Sequence, residues 1–157
     1  ALNDLAVSYY LEGHLDAARR LLDEVVASGS PREQQAALQN LGELYAVEGH
    51  AEAARAYLES ARGVDATRPE PVYALALLAS ARGDAFQARA LVREALRLDD
   101  GSGHGALVFA FGEEKRHLDA LVAEVSGDRA AAAARWKEVA AGRFPSLAQA
   151  AARRGAD

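Results

Sequence analysis

One pattern occurs three times in this 157-residue chain and narrows what it can fold into. Leu5-Ala6-x-x-Tyr9-x-x-x-Gly13 is followed by Ala18, Leu41-Gly42-x-x-Tyr45-x-x-x-Gly49 by Ala54, and Leu75-Ala76-x-x-Ala79-x-x-x-Gly83 by Ala88. Each time a small residue comes one after the leucine, a glycine eight after it and an alanine thirteen after it. The glycines stand 36 and then 34 residues apart. Self-similarity at such a period belongs to stacked units, none of which can bury its apolar face alone.

Apolar positions at helical spacing lie on both sides of each glycine, so a unit reads as two antiparallel helices. Leu2, Leu5, Ala6 and Tyr9 share one helix face, Gly13-His14 breaks it, and Ala18, Leu21, Leu22 and Val25 supply the partner. Ser30-Pro31-Arg32-Glu33 is a helix start, with Ser30 as cap, Pro31 where no amide hydrogen is needed and Glu33 able to reach back. Thr67-Arg68-Pro69-Glu70 repeats that logic. The small residues predict close approach. Ala6, Gly42 and Ala76 face Ala18, Ala54 and Ala88, with Tyr9, Tyr45, Leu22, Leu58 and Val92 filling the space around them.

This combination resembles the tetratricopeptide repeat (TPR) family, whose unit is a helix–turn–helix of about 34 residues. The resemblance implies an all-α fold: a right-handed α-solenoid of TPR repeats closed by a C-terminal capping helix. Three units then cover 1–30, 31–67 and 68–100. Residues 101–112 interrupt the period with Gly101, Gly103 and Gly105 and an apolar run, Ala106 to Phe111. Gly127 restores the inter-helix glycine 44 residues after Gly83, so 113–142 read as a fourth pair with Asp128 as cap. That pair looks degenerate or rotated, because Asp119 takes the leucine position and Arg116 a bulky one. Residues 143–157 are the expected capping helix, which a solenoid needs in order to end in water. Ala1 falls near the third position of its repeat, so the chain reads as part of a longer one.

Composition removes several functions. The net charge is −5, with cations scattered among acids, and no basic stripe of the kind a nucleic-acid binder carries is visible. Arg143, Arg153 and Arg154 suit the solvated end of a last helix, whose dipole they complement. The absence of cysteine excludes disulfides and thiolate metal sites. No apolar run approaches the ~18 residues of a bilayer span, so direct membrane insertion is not expected.

No arrangement of reactive side chains indicates an enzyme. His14 and His50 share one slot after the glycine, but equivalent residues of stacked units sit about 10 Å apart. Metal bonds are about 2 Å long, so these two cannot share an ion. His104 lies in the glycine-rich loop and His117 on a polar helix face with no ligand partner at the right spacing. The acidic pairs Asp23-Glu24, Asp99-Asp100 and Glu113-Glu114 sit among charged or loop residues, which do not raise a carboxyl toward acid–base use. Gly101-x-Gly103-x-Gly105 follows a helix rather than a strand and lacks the lysine of a phosphate loop. The serines, Ser80 among them, show no triad pattern. No catalytic residue, metal or cofactor is expected.

What the family resemblance does imply is a concave groove lined by the first helix of each unit. In this sequence it would be formed by Asn3, Val7, Tyr10 and Leu11, then Gln39, Glu43, Ala46 and Val47, then Tyr73, Leu77 and Ser80. The heat-shock-chaperone class of TPR reads a terminal carboxylate with Lys, Arg and Asn at such positions. Here Asn3 and the nearby Asn40 are present and no cation is. The remaining surface is largely apolar, with Tyr10 and Tyr73 as aromatic anchors. The implied function is a protein-interaction scaffold that holds an amphipathic helix or extended apolar segment of a protein or peptide partner. Two alternatives stay open, a bacterial envelope assembly factor of the pilus or secretion type and a non-catalytic regulatory subunit of an enzyme. The run 106–111 must be covered, having high β-propensity and no charge. It can extend the following helix, occupy the groove beside Tyr73 and Leu77, or dock into a second copy to make a homodimer.

Overall fold

The computed structural model describes residues 2–100 and 112–141. Its organising feature is a turn that recurs four times. Gly13, Gly49, Gly83 and Gly127 have φ of 87°, 87°, 85° and 82°, a left-handed conformation that costs a glycine nothing. Each glycine N–H donates to the carbonyl three residues back, on Tyr10, Ala46, Ser80 and Glu124. The next N–H reaches five residues back, from His14 to Tyr9, His50 to Tyr45 and Asp84 to Ala79. This paired arrangement satisfies the carbonyls that a helix end leaves over.

Among the described residues the chain forms eight α-helices and no strand. They are α1 (Leu2–Leu11), α2 (Leu15–Ser28), α3 (Pro31–Val47), α4 (Ala51–Val64), α5 (Glu70–Ala81), α6 (Ala85–Leu98), α7 (Gly112–Val125) and α8 (Arg129–Ala140). The chain divides into two compact units, Ala1–Pro71 and Val72–Asp157.

In the first unit α1 packs on α2 and α3, α2 on α3, and α3 on α4. Ala6, Leu22, Val25, Ala37 and Leu41 form one buried cluster in it, with Leu21, Val26, Tyr45 and Tyr57 packed against it. The Tyr45 and Tyr57 rings stack 5.2 Å apart at 10°. Gly42 and Ala54 meet across the α3–α4 contact, as the sequence pattern expects. A methyl group on Gly42 would lie 2.6 Å from Leu58 Cγ and 3.2 Å from the Ala54 carbonyl oxygen.

The caps follow local chemistry. Ser30 Oγ accepts from the Glu33 N–H while Glu33 Oε2 accepts from the Ser30 N–H at 2.8 Å, with Pro31 in the first turn. The Ser30 N–H first, and the Ser30 hydroxyl after it, hold the Glu33 carboxyl below its ordinary value. Thr67 does not repeat the motif. Asp65 Oδ1 accepts from both the Thr67 N–H (3.0 Å) and its hydroxyl (2.6 Å), and α5 begins only at Glu70. A carboxylate two residues upstream is the stronger acceptor, so the Thr67 N–H closes an Asx turn on Asp65 and the hydroxyl donates to the same oxygen instead of capping a helix.

In the second unit α6 packs on α7 and α7 on α8. The fourth pair is less divergent than its sequence suggests. Ala120 and Ala132 hold the small positions at 0% and 6% exposure, and Asp128 caps α8 by accepting from the Ala131 N–H at 2.9 Å. Asp119, at the leucine position, pairs with Lys115 (3.1 Å) and lies 3.9 Å from Arg135. Arg116 is exposed. The insertion's apolar run 106–111, the loop holding His104 and the expected capping helix 143–157 lie outside the described residues.

Candidate interaction surface

In the first unit the first helices of two successive pairs, α1 and α3, lie in contact. Asn3 Nδ2 donates to the Glu33 carbonyl (3.3 Å) and Asn40 Nδ2 approaches Asn3 Oδ1 at 3.5 Å, so these amides join α1 to α3. Next to Asn40 on α3, Gln39 Nε2 donates to Glu43 Oε1 at 3.0 Å. Burial pushes the Glu43 carboxyl up to about 7, although the Gln39 bond acts the other way. Near neutral pH this face therefore carries less charge than its sequence suggests. Leu11 is 57% exposed, Val7, Tyr10, Glu43 and Val47 are half-buried, and Gln39 is buried.

Four expected groove residues are buried in this structure, Gln39 at 7% and Ser80 at 1% exposure together with Tyr73 and Leu77. Tyr73 is 0% exposed and its hydroxyl donates to Asp99 Oδ2 at 3.0 Å, while Leu77 is 6% exposed. Every residue from Val72 to Leu78 is buried. A repeat register assigns one face of a helix to the groove, but a helix apolar all round is covered all round. The composition of α5, with Val72, Leu75, Leu77 and Leu78 among alanines, carried that signal.

The histidines divide into two kinds. His14 and His50 begin α2 and α4 without capping them, and each turns its ring edge toward a tyrosine. Centroid distances are 6.0 Å to Tyr9 and 6.1 Å to Tyr45. His117 is not on a polar face. It is 0% exposed, its ring packs edge-on against Trp136 at 5.0 Å, and its Nε2 lies 2.7 Å from Ser80 Oγ. Trp136 Nε1 in turn donates to Glu124 Oε1 at 2.8 Å.

A serine on a histidine is the geometry of an activated nucleophile, and it joins two residues 37 positions apart that no local spacing could pair. Here both side chains are closed off, Ser80 at 1% and His117 at 0% exposure, so no substrate reaches the hydroxyl. The pair acts as a polar tie between α5 and α7. Among the described residues no three His, Asp or Glu side chains are placed to hold a metal ion, and no helix is long and apolar enough to cross a membrane.

Comparison with protein-family models, with curated proteins and with solved structures finds no match to this chain.

Proposed function

We propose that the chain is a TPR-type α-solenoid and serves as a protein-interaction scaffold, holding an amphipathic helix or an extended apolar peptide of a partner against its first helices. The observation that carries this reading is the hairpin repeated four times with one turn geometry, joined to a first-helix face that is not closed. On that face Val7, Tyr10, Leu11, Glu43 and Val47 keep accessible surface, and the partly neutral Glu43 suits an apolar ligand. With Tyr73 and Leu77 buried, the contact surface in this reading is Tyr10 and Leu11 with Val47. Tyr10 is the aromatic anchor, since a ring gives large contact area at low entropy cost.

The test is a screen of labelled amphipathic and extended apolar peptides against the intact chain, followed by Leu11→Asp and Val47→Asp. A peptide that binds the native chain and is lost from both variants supports the groove. Binding that survives both substitutions removes it.

A further inference from the structure

Tyr45 on α3 and Tyr57 on α4 lie ring on ring across the α3–α4 hairpin, with centroids 5.2 Å apart and planes at 10°. An offset stack of this kind is a favoured aromatic arrangement. Burial first, then the Tyr45 and Asp23 charges and the Tyr45 hydroxyl, push the Tyr57 phenol above its ordinary value. The two hydroxyls therefore stand at the same end of the stack, which sets the ortho carbons of one ring beside those of the other. From α2, Arg19 places its guanidinium 5.2 Å from the Tyr45 ring centroid and one Nη on the Glu48 carboxylate. A fixed cation there raises the cost of removing an electron from Tyr45, whereas the Asp23 carboxylate near Tyr57 lowers it for that ring.

Composition makes this pair prominent. Cysteine and methionine, whose sulfur ordinarily takes up oxidants, are absent from these 157 residues. Electrons are drawn instead from aromatic rings, of which five tyrosines and one tryptophan are the oxidisable ones. Trp136 is 4% exposed and Tyr73 0%, whereas Tyr45 and Tyr57 are half-buried and keep surface that solvent reaches. Tyr9 is as accessible, but its ring meets His14 rather than a second phenol in the same stack.

We propose that Tyr45 and Tyr57 are an oxidative cross-linking site, where a one-electron oxidant, a peroxidase acting with hydrogen peroxide, joins the two rings through their ortho carbons. Tyr57 gives up one electron and its hydroxyl proton, and Tyr45 gives up the same in a second step. The unpaired spin of each phenoxyl sits on the oxygen and on the ortho and para carbons, and the para carbon already carries the side-chain stem. Coupling forms one bond between ortho carbons, and the hydrogen displaced from each returns to its oxygen, restoring both phenols. Two electrons and two protons leave altogether, and they turn one hydrogen peroxide into two waters. Because the fold holds the rings together, coupling is unimolecular and outruns encounters between separate chains. The product ties α3 to α4 between residues 12 positions apart, which restricts the unfolded chain. None of the proposed groove residues takes part, so the site stands apart from the scaffold reading.

The test treats the intact chain with a peroxidase and hydrogen peroxide over a range of protein concentrations. Blue dityrosine fluorescence is expected in a chain that stays monomeric and loses the mass of two hydrogens, with a yield independent of concentration. Trypsin cuts after Arg55, so digestion should release 33–55 and 56–62 as one linked pair. The melting midpoint of the linked chain should be raised. Tyr57→Phe and Tyr45→Phe keep two stacked rings and lack one phenol, and each should lower the fluorescence about tenfold or more. Tyr9→Phe should leave it unchanged. Fluorescence that survives Tyr57→Phe, or that appears only in cross-linked dimers, overturns the proposal. So does oxidation that consumes the peroxide and yields no linked pair of 33–55 with 56–62.

Discussion

Gly42 lies so close to Leu58 that a single added methyl group would come within 2.6 Å of the leucine's branch carbon. That spacing sets the α3–α4 approach, so bulk here must push the helices apart. Gly42→Leu and Ala54→Leu are each expected to destabilise the protein by about 1–3 kcal/mol or more. Thermal melts followed by circular dichroism check this, and unchanged midpoints for both would remove the close-packing account.

Gly63 is the control. It sits in the last turn of α4, where an added methyl group would meet nothing within 4 Å, so Gly63→Ala removes only unfolded-state freedom. A gain of roughly 0.4–1 kcal/mol is expected. A loss would mean that this position needs its glycine for a reason the geometry does not contain.

Tyr45 meets three partners, stacking on Tyr57, meeting the His50 ring edge-on and receiving Arg19 on its face. Tyr45→Ala should cost about 3 kcal/mol or somewhat more, since a large ring is removed from the edge of the core. His50→Ala, at an exposed histidine that makes no cap bond, should change stability by less than about 0.5 kcal/mol. Reversed magnitudes in urea titrations would show that the histidine holds the turn.

Glu43 binds its proton more tightly when folded, about 7 against 4.5. Its favourable contribution is thus complete below about pH 4.5, falls as the pH rises through that window and is gone above 7. The slope is at most about 1.4 kcal/mol for each pH unit in the window. Glu43→Gln should flatten this decline and be the more stable form at about pH 8. Parallel stability curves for the two proteins between about pH 4 and 8 would refute the shift.

Trp136 is the chain's only tryptophan and is 4% exposed, with the His117 ring against it. His117→Ala should open a cavity beside the indole and remove the Ser80 hydroxyl's contact on α7, for a loss of about 2–4 kcal/mol. Emission should shift to longer wavelength as water reaches the ring. His117→Asn, which keeps a polar atom, should recover part of the loss. An unshifted emission maximum in the alanine variant would contradict the tie.

The hairpins were legible because their determinants are local. Ser30 and Glu33 cap across three residues, and each glycine turn is written within six. Gly42 announced its close contact through the register alone, and Ala120 could have been found by counting back seven from Gly127. The exposure of the expected groove residues was less legible. Whether Tyr73 faces solvent depends on what lies over α5, and whether Ser80 meets His117 depends on packing across 37 residues. The Arg19 contact was hidden for a related reason, because Glu48 and Arg19 are 29 residues apart and only the fold aligns them over one ring.

The closeness of partners along the chain also governs how the protein comes to be folded. Gly42 meets Ala54 and Leu58, only 12 and 16 residues later, so closing that hairpin forfeits little chain entropy. A chain built from such short closures belongs among the fast folders, which need no distant strand to arrive before anything is gained. During synthesis each hairpin has both of its helices within reach as soon as its second one leaves the ribosome. Order can then accumulate from the amino terminus in steps of about one repeat, with little time for an exposed apolar face to meet the wrong neighbour.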